Sequence, residues 1–177
     1  MPLTPFHAAV PWLAYVRWPA LLSFWALTLG AMVPDLEVPV YFAAFGDIYE
    51  ARGPMHSLIG AVTIDAAVAA LAVWILVPPV TRWIDRKWPG TDILTFAGQD
   101  LRKDRRDLGA VYGSAALGAL THVVVDVPTH GYNPLFWPWQ ETPLKIVPYA
   151  DELWYDVVTS ILWIAFFVIV FRAYWRR

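Results

Sequence analysis

His122 and Asp126 stand four residues apart in the stretch LTHVVVDVPTH, and His130 follows after a further four. On a helix, an i, i+4 pair projects from one face about one turn apart. That is a spacing that chelates metal ions, as the two histidines of an H-E-x-x-H helix do. Pro128 is expected to end the helix before His130, which leaves the third residue's position open. Asp35 and Glu37 in MVPDLE and His56 in RGPMHSLIG add further carboxylates and an imidazole. The chain has no cysteine, so a thiolate ligand, a cysteine nucleophile and a disulfide are all excluded. Imidazole and carboxylate ligands suit Zn²⁺, Mn²⁺ or Fe²⁺, with zinc the first expectation, and favour a hydrolytic or oxygen-rich site. A hydrogen-bonded structural pair has the same local pattern.

The elements that must position these groups are set by composition. Hydrophobic residues make up 58% of the 177 and charged residues 16%, against about 45–50% and about 25% in soluble domains. So small a globule cannot hide that apolar excess from water, so the expected solvent is lipid. Eleven Trp, eight Tyr and nine Phe fit the same solvent, since Trp and Tyr collect at bilayer interfaces. A net charge of −2 speaks against a nucleic-acid partner. The N-terminus lacks the basic start and cleavage site of a signal peptide.

The expected fold class is all-α, an integral membrane bundle of about four spans plus a short N-terminal helix, in one domain over residues 1–177. Apolar stretches run at about 18–33, 56–77, 108–127 and 154–174, the middle two near the roughly 20 residues that cross a bilayer core. Pro34, Pro78-Pro79 and Pro128 punctuate the ends of the first three. A helix over about 5–16 is expected from Thr4 and Pro5 as its cap and first residue. Lys and Arg orient the bundle: seven lie at 78–107, three at the C-terminal end, and Arg17 precedes the first stretch. The segments 34–55 and 128–153 hold one each, Arg52 and Lys145. Eleven of thirteen therefore fall on one side, which places the 78–107 loop and both termini in the cytoplasm of a multi-pass inner-membrane protein. The run QDLRKDRRD is expected to be a solvated, salt-bridged surface segment.

With that topology Asp35, Glu37, His56, His122, Asp126 and His130 all fall near the non-cytoplasmic face. Ionisable groups in apolar spans are expensive and are functional candidates for that reason. Asp65, nine residues beyond His56, lies about 13 Å along the helix and roughly on its opposite face, so a structural or protonated carboxyl is expected there. His7 would sit about 42 Å from Asp35 on one straight helix. A break at Arg17-Trp18-Pro19 would instead fold the first helix back towards the site.

MPLTPFHAA, LGAMVPDLE, RGPMHSLIG and LGALTHVVVDVPTH, in that order, resemble an uncharacterised prokaryotic polytopic membrane family with an M-P-x-T-x-x-H, P-D, H-S and H-x-x-x-D-x-x-T-H pattern. It looks related to the inner-membrane metal-dependent hydrolases. The resemblance implies a shared polar site of His7, Asp35, His56, His122, Asp126 and His130. Met55 stands where the related family shows Ser or Thr, so a hydroxyl there is absent.

The function expected is a membrane-embedded metal-dependent hydrolase acting on a lipid or interfacial substrate. His7, His56, His122, Asp126 and His130 would hold the ion, Asp35 would be ligand or general base, and Glu37 an alternative base. The aromatic loop GYNPLFWPWQETPLKIVPY would line an entrance or anchor the bilayer surface. Two other classes remain open: a non-catalytic accessory subunit with a membrane-protein partner or a second copy, and a small transporter centred on Asp65.

Overall fold

A computed structural model describes residues 4–46, 52–89, 107–140, 144–150 and 152–175. The run QDLRKDRRD thus lies, but for Asp107, outside the described residues. Every described element is helical. A 3₁₀ turn, Thr4–Ala8, leads into α1 (Ala9–Arg17), and α2 follows at Phe24–Gly30. A second turn, Pro34–Leu36, opens α3 (Glu37–Phe45). A third, Pro54–His56, precedes α4 (Leu58–Ile75). Then come α5 (Val77–Lys87), α6 (Asp107–Thr129) and α7 (Leu153–Trp175). Among the described residues three helices, α4, α6 and α7, are long and apolar enough to cross a membrane.

The first apolar stretch does not form a full span. Its α2 has seven residues, about 10 Å at 1.5 Å per residue, a third of a bilayer core. Pro19 sits in a turn, and Ser23 restarts the helix by accepting from Ala26 N at 3.3 Å. The Ser23 amide is tied to α6 by Ser114 Oγ at 2.9 Å. A glycine on each helix then lets the two backbones touch. A Cβ on Gly30 would strike the Ala115 carbonyl, and one on Gly118 would strike the Leu27 carbonyl. Small residues dominate this contact because lipid tails give helices no hydrophobic reason to associate, and close approach is what remains.

Three prolines bear on where helices end. α4 ends at Ile75, just ahead of Pro78-Pro79 as expected, and the two prolines then open α5, because the first turn of a helix needs no N–H there. Pro128 lies inside α6, and the His130 amide still bonds the Asp126 carbonyl at 3.0 Å. So near the end of a helix, proline removes a single bond and leaves the path intact.

Residues 9–17 do return beside α2. Trp12 Nε1 donates to Thr28 Oγ1 at 2.9 Å, while Phe166 and Phe167 of α7 pack on the cluster around Trp12, Ala8 and Ala31. This carries His7 to the end of the bundle where α3, α4 and α6 meet.

Candidate metal centre

Two histidines are aimed by their outer nitrogens. His122, fully buried on α6, has Nδ1 2.7 Å from the Ala31 carbonyl just past α2. A carbonyl only accepts, so Nδ1 carries the proton and Nε2 presents a lone pair to the interior. His56 ends the Pro54–His56 turn, and its Nδ1 lies 2.7 Å from Glu37 Oε1. Glu37, the first residue of α3, also accepts from Gly53 N at 2.7 Å, Met55 N at 3.0 Å and His56 N at 3.2 Å. So many donors on one carboxylate make it the acceptor for the ring as well, and His56 Nε2 likewise faces inward. Metal-bound histidines are commonly held this way, by a carboxylate or a carbonyl on the far nitrogen.

The two Nε2 atoms converge on two carboxylates. His56 Nε2 lies 3.6 Å from both Asp35 Oδ1 and Asp126 Oδ2. For His122 Nε2 the same two distances are 3.4 and 3.5 Å. All four ligand atoms lie within 4.8 Å of one another. Among the described residues, neither Nε2 atom and neither Asp126 oxygen has a hydrogen-bond partner, although all are buried. Lone pairs facing carboxylates repel unless a cation lies between them. Ligand bonds of about 2.0–2.1 Å at tetrahedral angles would set the atoms about 3.3–3.4 Å apart, close to the four histidine–aspartate distances. The residues fit a metal ion.

The structure therefore brings Asp35, His56, His122 and Asp126 into one group. His7 and His130 lie outside it, against the other oxygen of Asp126: their Nε2 atoms are 3.6 and 3.5 Å from Oδ1. Glu37 stands behind His56, buried and committed to its four donors, and does not open on the centre. Asp65 is apart from the group, fully buried and, among the described residues, without a hydrogen-bond partner for either oxygen; of the structural and the protonated carboxyl expected there, the structural hydrogen bond is not formed.

Arg52 was not anticipated. It is buried, with Nε 3.5 Å from Asp126 Oδ2. The available signal was its charge, since it is one of two cations in the segments expected on the outer face.

Electrostatics follows the burial. Burial pushes the His7 imidazole down to about 4 and lowers His130 in the same direction, so both are neutral at neutral pH.

Asp35 is 21% exposed, which makes its side the open edge of an otherwise buried group. The aromatic loop lies beside the centre, pinned by Asn133, whose Nδ2 donates to the carbonyls of Val127, His130 and Leu144. The Leu58 amide bonds the Leu135 carbonyl at 3.0 Å, while Phe136, Trp139, Ile146 and Tyr149 are exposed.

Residues 1–177 match the family model described as "Domain of unknown function (DUF4184)". No curated protein and no solved structure matches the chain.

Proposed function

The chain belongs to the DUF4184 family, and from the geometry of its His/Asp group we propose that it is a membrane-embedded metal-dependent hydrolase of a lipid or other interfacial substrate. The observation that carries this reading is the pair of inward Nε2 lone pairs held opposite Asp35 and Asp126 with no hydrogen bond between them. Two imidazole and two carboxylate ligands gathered this closely suit Zn²⁺. A divalent ion there, with a water as its fifth ligand, would acidify that water and polarise a substrate oxygen.

The chain's own residues do the rest. Asp35, at the exposed edge, would give Oδ1 to the ion and keep its other oxygen to take a proton from an attacking water. Glu37 orients His56 and is not the base, because its oxygens are spent on backbone donors. Arg52 adds positive charge beside Asp126, which suits an anionic group on the substrate. The exposed aromatics of the 131–149 loop sit where a bilayer interface would deliver a lipid. The reading places the centre on the non-cytoplasmic side of an inner membrane.

A structural polar knot, as an accessory subunit would have, should be hydrogen-bonded throughout. The bare oxygens of Asp126 favour the metal reading over that one. Metal analysis of the purified full chain tests it, with His122→Ala and Asp126→Ala as controls. The expected result is bound divalent metal in the wild type and little in either variant; a wild type as metal-free as the variants would sink the proposal. Release of headgroup or acyl chain from phospholipid vesicles, lost in Asp35→Asn, would then identify the bond cleaved.

A further inference from the structure

A four-ligand site uses only one oxygen of Asp126. The other, Oδ1, is equally buried and equally unpartnered, and it faces its own pair of imidazoles. His130 Nε2 is 3.5 Å away and His7 Nε2 3.6 Å away, from positions far apart in the sequence. Both side chains are buried, and both distances exceed a good hydrogen bond. The positions are built. His122, Asp126 and His130 follow one another at i, i+4 because α6 runs through Pro128, so His122 and His130 flank the carboxylate from either side. His7 is held by stacking, with its ring centroid 4.1 Å from His122 and 5.7 Å from Trp163.

We propose that the centre is dinuclear, with Asp126 bridging: Oδ2 serves a first divalent cation with Asp35, His56 and His122, and Oδ1 serves a second with His7 and His130. The inference rests on the metal reading above and extends it. Carboxylates bridge paired ions about 3.5–4 Å apart in hydrolytic sites, where the two ions clamp the attacking and leaving oxygens. The second ion has three protein ligands, so its remaining positions are open to water or substrate. A buried carboxylate flanked on both oxygens by imidazoles and by Arg52 is otherwise an acceptor with no bond to accept.

The test is stoichiometry and coupling on the purified full chain in detergent. Two equivalents of Zn²⁺ per chain are expected in the wild type, falling to one in His7→Ala and in His130→Ala. Loading with Mn²⁺ should give the multiline resonance of two spin-coupled ions, a readout that needs no variant. One equivalent with an uncoupled Mn²⁺ signal would overturn the dinuclear centre and leave the single site standing. No bound metal would overturn both. Two equivalents that persist in both variants would also overturn it, by placing the second ion elsewhere.

Discussion

At the scale of single residues, chemistry is decided by which nitrogen of each histidine is spent. Because Ala31 and Glu37 take the Nδ1 protons of His122 and His56, the ligand atoms are predetermined. Glu37→Gln has one acceptor oxygen where four donors need satisfying, so it should loosen His56 without removing it. The expected loss in metal affinity is about 10–100-fold, measured by competition with a chromogenic chelator; an unchanged affinity would show that Glu37 does not orient the ligand. His7 makes a pH prediction. Its value is lowered from 6.5 to about 4 in the folded chain, so protons bind the unfolded chain more readily. The stability it contributes is complete above pH 6.5 and drains away as pH falls towards 4. Thermal unfolding in detergent should fall across that window, and less steeply in His7→Phe, which keeps the stack on Trp163.

Elements matter here through how closely they approach. The carbonyl of Ala31 reaches His122 because α2 and α6 meet backbone to backbone at Gly30 and Gly118. In Gly118→Ala the new methyl would face the Leu27 carbonyl, and a backbone atom cannot give way as a side-chain tip can. Overpacking of this kind costs about 1–3 kcal/mol. The unfolding midpoint should drop by several degrees, and metal affinity should drop with it because the Ala31 to His122 bond is stretched. A stability loss with full metal binding would show that α2 does not set the ligand's aim. Pro128 belongs to the same scale. The rule that proline ends a helix predicts His130 off the α6 face, but the observed bond from its amide to Asp126 puts it on that face.

For the whole molecule the governing quantity is the solvent. α7 is scarcely buried, with 6% of its apolar window inside the protein, and it touches the bundle through Trp163, Phe166, Phe167 and Val170. Such a helix is long and apolar enough to cross a membrane, where lipid would cover the rest. The absence of native cysteine makes orientation directly measurable. Trp88→Cys, near the basic α5, and Ile146→Cys, in the aromatic loop, are both exposed positions. An impermeant thiol reagent added outside intact cells should label position 146 and not 88. The reverse pattern would overturn the charge-based orientation.

Composition, the apolar runs and the spacing of His122 and Asp126 were enough, unaided, to specify a helical protein suited to lipid and to mark one end of it as the place for chemistry. These are local properties, carried by hydropathy and by a period of 3.6 residues, so they are legible in one dimension. The ordered short motifs also named the four clustered residues, but not their division of labour. Only the tertiary structure decided that Glu37 stands behind His56, that Arg52 faces Asp126, that His7 and His130 share the far oxygen, and that the first apolar stretch breaks into a seven-residue helix. Each of those depends on a contact between segments far apart in the chain, where backbone approach and competition for a few buried donors settle the outcome and no local pattern records it.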